Sequence, residues 1–398
     1  MRADLLEQAR LDVSEKSRSN IFNWRGQFTP EFVEYLLGVF GHWGCLVVDP
    51  FCGSGTVLLE AGARRMPAAG FEINPAAYAM SRFVSFVNTP KDERAHLFQR
   101  VQDKLHRLLG PHEGLPLFES SEDYRRRCKN LVEFAADLFR GAEGKQEVLL
   151  GLIVLMKAET SGGDDLSCAL RRACLSVRED LLNLPLSEGS LQVELCDARE
   201  AHKRCRDRAD LIITSPPYIN VFNYHQNYRA LLEVLGFDLL KVAESEIGSN
   251  RKNRGNRFRT VVQYALDMEQ CLESFALLLK PGGKLIMVVG HESNVRGIAF
   301  SNSAIIRDVA DSLGCFCLEG ERHRAFVNRF GKWIREDILV MTSVDSAPMG
   351  GAARQIARLH LEDALHRADG EPREGILAAL SEISTIVPSP ILTRKGLI

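Results

Sequence analysis

The sequence predicts an open, mostly parallel α/β sheet of seven strands that ends in an antiparallel hairpin and carries an all-helical insertion. Three observations lead there. Short apolar runs alternate with helical periodicity in both the first and the last third of the chain. Four consecutive helical patterns, with no strand between them, fill residues 91–190. Two long strand patterns joined by Asn328-Arg329-Phe330-Gly331-Lys332 close the alternation. The 398 residues, 45% of them hydrophobic, suffice for a large core and suggest two or three structural units.

Residues 1–44 read as a polar lead-in and then an amphipathic helix. Thr29-Pro30-Glu31 is a helix start, with Thr29 as N-cap and Pro30 at the first position, and Phe32, Tyr35, Leu36 and Phe40 recur at helical spacing. Cys45 to Asp49 reads as a buried parallel strand, Val57 to Arg65 as its following helix, Ala68 to Ile73 as a second strand and Pro75 to Phe86 as the next helix. The helical block divides into 91–109, 121–140, 145–160 and 164–183, with breaks such as Gly110-Pro111 and Ser161-Gly162-Gly163. Strands resume at Leu191 to Cys196 and Asp210 to Thr214. A helix over Val261 to Leu279 stops at Lys280-Pro281-Gly282-Gly283, a strand covers Lys284 to Val289, and a helix covers Ser303 to Leu313. The hairpin strands fall at 315–327 and 335–342, and two short helical stretches follow Ser346. The chain thus divides into 1–90 and 191–345 as the halves of one sheet domain, 91–190 as the insertion and 346–398 as a helical tail.

Charge and composition exclude several classes. Lys and Arg number 50 against 52 Asp and Glu, a net charge of −2, which argues against a polybasic coating protein but permits a local basic patch. No apolar run approaches the ~20 residues of a membrane span. Met1 to Arg18 lacks the apolar stretch of a secretory signal. The ten cysteines are scattered without C-x-x-C spacing, which reads as reduced thiols in a cytosolic protein and as no metal site.

In such sheets ligands bind outside the carboxyl ends of the strands. The first strand ends in Asp49-Pro50-Phe51-Cys52-Gly53-Ser54-Gly55-Thr56, where two glycines allow a tight turn and close approach of a ligand before a helix N-terminus; a plain βα turn is the alternative. The second ends in Glu72-Ile73-Asn74, an acid about 20 residues beyond that turn, placed to hold a ribose diol or to charge a helix start. The third ends in Asp197-Ala198, where the acid could accept from the exocyclic amine of adenine or merely cap a helix. The fourth ends in Thr214-Ser215-Pro216-Pro217-Tyr218. Two prolines remove backbone donors and leave carbonyl oxygens unpaired, beside a hydroxyl and an aromatic ring. Together these suit an amino group and a base to stack.

The strings Asp49 to Thr56 and Thr214 to Tyr218 together resemble the DNA amino-methyltransferases, S-adenosylmethionine enzymes that modify exocyclic nitrogens. Asn23-Trp24-Arg25-Gly26-Gln27-Phe28-Thr29-Pro30 resembles the family's upstream segment, which closes over the methionine end of the cofactor. Val289-Gly290 resembles its fifth strand. The resemblance covers about 1–90 and 191–345 and implies a Rossmann-like class I methyltransferase fold. It implies cofactor contacts from Phe28, Thr29, Asp49 to Thr56, Glu72, Ile73, Asn74, Asp197, Ala198 and Thr214, and catalytic roles for Ser215, Pro216, Pro217 and Tyr218. Ser at the first position of S-P-P-Y points to N4 of a flipped-out cytosine, with N6 of adenine as the alternative. An RNA base methylase and a non-catalytic nucleic-acid-binding subunit are further alternatives. C5-cytosine chemistry is excluded by the lack of a Cys within Ser215 to Tyr218. One departure is the order of motifs: many N4-cytosine enzymes place S-P-P-Y first, whereas here the cofactor motif precedes it.

The implied partner is double-stranded DNA, in a prokaryotic restriction-modification or defence setting with a cognate restriction or defence component, and with no membrane. Candidate DNA contacts are Arg251, Lys252, Arg254, Arg257 and Arg259 in the basic run after the catalytic motif. Asn220, Asn223 and Tyr224 in the loop beyond Tyr218, and Arg329 and Lys332 at the hairpin tip, are further candidates. A solvated charge run and a core-packed Trp333 are the competing readings of these segments. Arg125, Arg126 and Arg127 on the insertion are either recognition residues or a solvated helix face.

Overall fold

The computed structural model describes residues 6–13, 16–109, 121–140, 144–160, 166–219, 226–249, 253, 255–327 and 331–392. The first part of the chain holds α1 (Gln8–Asp12), α2 (Pro30–Phe40), β1 (Val47–Asp49), α3 (Thr56–Ala63), β2 (Ala68–Glu72) and α4 (Pro75–Val84). The insertion holds α5 (Lys91–Leu109), α6 (Ser121–Arg140), α7 (Lys145–Glu159) and α8 (Leu166–Asn183). Then come β3 (Leu191–Leu195), β4 (Ala209–Thr214), α9 (Arg229–Val234), α10 (Leu239–Ser245), α11 (Arg259–Leu278) and β5 (Leu279–Gly290). The chain continues through β6 (Glu292–Val295), β7 (Ile298–Ser301), α12 (Asn302–Leu313), β8 (Phe316–Val327), β9 (Trp333–Ser343), α13 (Ala353–Leu365) and α14 (Gly370–Ser381).

Seven strands form one sheet in the order β3-β2-β1-β4-β5-β9-β8. β1 pairs in parallel with β2 and β4, β2 with β3, and β4 with β5. β9 is antiparallel to both β5 and β8. The expected fold class is therefore observed. Because successive side chains of a strand point to opposite faces, the apolar runs feed two layers. Val47, Leu211, Ile213, Ile286, Val288, Ile338 and Val340 join the core shared with α2–α8. Val48, Ile212, Leu285, Met287, Val289, Leu339 and Met341 join the one shared with α11–α14. No helix among the described residues is long and apolar enough to cross a membrane.

The insertion packs on the α2–α4 face. α7 is buried nearly all round, from Leu149 through Met156, which explains its apolar sequence: it is the axis about which its neighbours pack. Arg94 of α5 joins this unit to the sheet. It is fully buried, and its guanidinium donates to the carbonyls of Thr89 at 2.6 Å, Leu184 at 2.5 Å and Pro185 at 2.9 Å.

Several elements lie outside the sequence expectation, namely the short helices α1, α9 and α10 and the strands β6 and β7. β6 and β7 form a hairpin of their own, with Val295 paired to Ile298 across Arg296 and Gly297, both at positive φ. Two such residues make the mirror-image turn that matches strand twist. Arg-Gly is not one of the dipeptides that usually signal it. The expected N-cap at Thr29 is half observed: its backbone is extended, as at an N-cap, but its side chain caps nothing.

Replacing Arg94 by Met removes the donors to those buried carbonyls without opening a large cavity. Each stranded acceptor costs about 1–3 kcal/mol. The urea midpoint should therefore fall by an amount equivalent to about 3 kcal/mol at unchanged slope. A loss below about 1 kcal/mol would mean that water or rearrangement satisfies these carbonyls.

Candidate active site

The parallel strands bring their carboxyl ends to one edge, and a cavity of about 930 Å³ opens there. Its walls include Phe28, Thr29, Asp49 to Ser54, Thr56, Glu72, Ile73, Asn74, Asp197, Ala198 and Ser215 to Tyr218. Of the residues expected to hold a cofactor, only Gly55 and Thr214 stand behind the wall. Gly55 has φ +88°, and a Cβ there would lie 3.0 Å from the Cα of Ser81, so the turn into α3 requires glycine. Thr214 is fully buried and donates from Oγ1 to Asp49 Oδ1 at 2.6 Å.

Two carboxylates shape the cavity, Asp49 buried and Glu72 half-buried. Asp49 Oδ1 also accepts from the Phe51 N–H at 3.1 Å, so one oxygen turns the first loop and ties it to the fourth strand. Glu72 accepts from Gly53 N–H on Oε2 at 2.9 Å and from Asn74 N–H on Oε1 at 2.8 Å. A carboxylate offers about four acceptor sites, so each oxygen keeps capacity for a ligand hydroxyl. Burial pushes both groups up to about 7. For Asp49, Thr214 and Phe51 pull against that rise; for Glu72, the backbone N–H donors do. Cys52 faces the same cavity, but burial first, then Glu72 and Asp49, raise its thiol well above the ordinary range. It is a neutral packing group.

The segment before α2 forms the opposite wall. Gln27 Oε1 accepts from Ser54 Oγ at 2.6 Å, and Asn20 Nδ2 donates to Thr56 Oγ1 and to the Phe28 carbonyl, both at 2.9 Å. These bonds fasten the lead-in across the glycine loop. Thr29 Oγ1 and Asn74 Nδ2 are buried without a hydrogen-bond partner, and both residues border the cavity. Buried polar atoms are normally paired, so these two are ready for a polar ligand.

Asp197 borders the cavity, but its carboxylate is already engaged. Arg199, itself buried, reaches Oδ1 through Nε at 2.8 Å and Oδ2 through Nη2 at 2.6 Å. Arg199 in turn meets Asp267 and the carbonyls of Ser389 and Pro390 in the tail. Asp197 thus also anchors the tail through Arg199, whose partners Asp267 and Ser389 lie 68 and 190 positions further on.

Ser215 Oγ lies 3.4 Å from the Tyr218 hydroxyl, which donates to Glu336 Oε1 at 3.3 Å. The ring of Tyr218 packs against Gly290, where a Cβ would come within 2.8 Å of it. Asn302 braces the same turn, accepting from Ile219 N–H and donating to the Gly290 carbonyl at 2.8 Å. Lys332 joins the cavity wall, together with Arg324 and Glu336, neither of which the sequence reading singled out. Their only sequence signal is that opposite charges face each other once the β8–β9 register is known. Arg257 is exposed and outside the cavity, and Arg259 is ion-paired with Glu382 of the tail. Trp333 is 75% exposed rather than packed in the core. Asn220, Asn223, Tyr224, Arg251, Lys252, Arg254 and Arg329 lie outside the described residues.

The strand order, the acids closing β1 and β2 and the proline turn closing β4 define a class I methyltransferase fold. No protein-family model matches the chain. It is 36% identical over 410 aligned residues to the type II methyltransferase M.MjaII of Methanocaldococcus jannaschii, covering 74% of this chain and 76% of that protein. The chain belongs to the type II methyltransferase family. It is also 25% identical over 289 residues to the type II methyltransferase M.BsoBI of Geobacillus stearothermophilus, covering 58% of this chain and 56% of that one, little more than half its length. Among solved structures, TrmN from Thermus thermophilus is 14% identical over 80% of this chain and 50% of its own, with a TM-score of 0.34. The rRNA methyltransferase aviRa from Streptomyces viridochromogenes is 12% identical over 83% of this chain and 93% of its own, also with a TM-score of 0.34.

The cavity fits S-adenosylmethionine. It has the volume of a small-molecule cleft, two acceptor oxygens at Glu72 for vicinal hydroxyls, and unpartnered polar atoms at Thr29 and Asn74. Hydroxyls donating to Glu72 favour its ionised form, so binding is linked to loss of a proton. The sign follows: affinity is full above about 7 and falls as pH drops below it. Calorimetric titration with S-adenosylhomocysteine should show binding that weakens by up to about tenfold per pH unit below neutrality. Glu72→Gln should bind weakly with a flat profile. An intact chain with constant affinity between pH 5.5 and 8 would refute the linkage.

Proposed function

We propose that this chain is a DNA methyltransferase that transfers a methyl group from S-adenosylmethionine to the exocyclic N4 of a cytosine turned out of the duplex. The observation that carries the reading is that the Ser215–Tyr218 turn and the Gly53–Glu72 pair border one cavity, although they lie far apart in sequence. DNA as substrate rests on the kinship with type II methyltransferases, and cytosine on Ser215 at the head of S-P-P-Y.

When bound, the cofactor supplies a methyl group already activated by its sulfonium. The chain's residues supply position and acceptors. The amine of a base is a weak nucleophile because its lone pair is delocalised into the ring. Ser215 Oγ and the Pro216 carbonyl accept its hydrogens and turn it towards tetrahedral geometry, and Tyr218 stacks on the ring. Pro216 and Pro217 have no N–H to compete for those acceptors. Positive charge then arises on the amine beside oxygen acceptors rather than donors, which favours the transition state. We assign the helical insertion α5–α8 to target recognition, Lys332 and Arg257 to phosphate contacts, and a restriction or other defence component as the functional partner.

Nucleoside mass spectrometry on DNA from a methylation-deficient host expressing the chain tests this directly. N4-methylcytosine is expected, reduced at least about a hundredfold by Ser215→Ala or Tyr218→Ala, with S-adenosylhomocysteine affinity kept within about twofold. N6-methyladenine would correct the base, and unchanged methylation in both variants would remove the catalytic assignment. Lys332→Ala and Arg257→Ala should each lower the slope of log affinity for duplex DNA against log salt by about 0.9. An unchanged slope would take that residue out of the interface.

A further inference from the structure

Arg324 and Glu336 stand directly opposite each other in the β8–β9 ladder, and both line the cavity that Ser215 to Tyr218 border. They are 5% and 8% exposed. The guanidinium donates from Nε to Glu336 Oε2 at 2.6 Å, and its Nη2 lies 2.6 Å from the same oxygen. It lies 4.0 Å over the ring of Phe32, with Phe326 at 4.9 Å and Phe28 at 5.7 Å. The other oxygen of Glu336 holds the Tyr218 hydroxyl, which reaches Ser215. A buried ion pair is seldom more stabilising than an apolar pair of the same size, so stability alone does not explain one in a cavity wall. Three rings and a carboxylate fix the guanidinium plane, and among the described residues no partner takes Nη1.

We infer that Arg324, braced by Glu336, is a specificity-determining residue that donates to the acceptor edge of the target base. The inference rests on the reading of this cavity as the methylation site. A cytosine that offers its amine to Ser215 presents N3 and then O2, two successive acceptors, along the same edge. An adenine in that pose presents N1 and then a C–H. Arginine carries donors only, in a rigid fork, so it matches two adjacent acceptors and has nothing to offer a C–H. A site built to donate to a substrate atom strongly rejects an analogue that lacks it. Glu336 is a positioning residue: it holds both the guanidinium and the Tyr218 hydroxyl.

The test uses the full chain and duplexes carrying its own site, mapped from DNA methylated by the wild type. One duplex has cytosine at the target, the other 3-deazacytosine, in which C–H replaces N3. The wild type should methylate the deaza duplex at least about tenfold more slowly. Arg324→Met should lower kcat/KM for the cytosine duplex and erase the difference between the duplexes, with S-adenosylhomocysteine affinity kept within about twofold. Arg324→Lys should recover part of the discrimination. Full discrimination in Arg324→Met, or loss of cofactor affinity in step with rate, would overturn the inference. Should the Met variant fail to fold, Glu336→Gln carries the same test, with reduced discrimination expected and wild-type discrimination overturning it. Failure of the underlying reading looks different: the wild type leaves no methylcytosine, or Ser215→Ala still does.

Discussion

The hydrogen bond from Thr214 Oγ1 to Asp49 Oδ1 joins the two loops on which the site is built. Asp49 ends β1 and Thr214 ends β4, and the two strands are parallel neighbours, paired Val47 to Leu211 and Val48 to Ile212. Parallel pairing forces both carboxyl ends to one edge of the sheet. The bond sets the loops in register there. The same Asp49 oxygen takes the Phe51 N–H, so the glycine loop leaves β1 at a fixed angle to the proline turn leaving β4. Among the described residues no cation pairs with Asp49. Burial lifts it to about 7, and two donors limit that rise.

From this joint the wall extends by contacts between distant segments. Glu72 crosses from β2 to Gly53, Gln27 and Asn20 cross from the lead-in to Ser54 and Thr56, and Asn302 crosses from α12 to the Tyr218 turn. Each crossing satisfies a polar group that would otherwise be stranded at a buried loop, where an unmade hydrogen bond costs about 1–3 kcal/mol. Two of the groups left unsatisfied, Thr29 Oγ1 and Asn74 Nδ2, belong to residues of the cavity wall.

The division between what could and could not be read in the sequence follows the range of the interactions. Strand and helix periodicities are local, so the helical block and all seven sheet strands were recognisable from their spacing, and the acids and prolines at strand ends could be placed on one edge by topology alone. Features set by a distant partner were not. Arg199, which holds Asp197, also meets the tail at the Ser389 carbonyl, 190 positions away. Thr29 adopts the N-cap backbone yet leaves its hydroxyl unbonded, which propensity does not distinguish. Arg324 and Glu336 became neighbours only through the register of β8 on β9. The β6–β7 turn uses an arginine at positive φ, a conformation held here by surrounding contacts, among them Asn294 accepting from Gly297 N–H at 2.8 Å.

The charge layout of the cavity bears on the proposed chemistry. Its carboxylates, Asp49, Glu72 and Glu336, fall into two settings. Asp49 and Glu72 are held by backbone and hydroxyl donors, so their ionisation responds to what enters the cleft. Glu336 is instead paired with the buried guanidinium of Arg324. Methyl transfer to a neutral amine at Ser215 would place positive charge on that amine, beside the second setting. An acceptor row of Ser215, Tyr218 and Glu336, fixed in advance by Arg324, can meet that charge without reorganising, and this is where electrostatic preorganisation lowers a barrier most. The same rigidity that readies the row for charge would also fix where a base edge lies, so the proposal ties rate and base choice to one cross-strand pair.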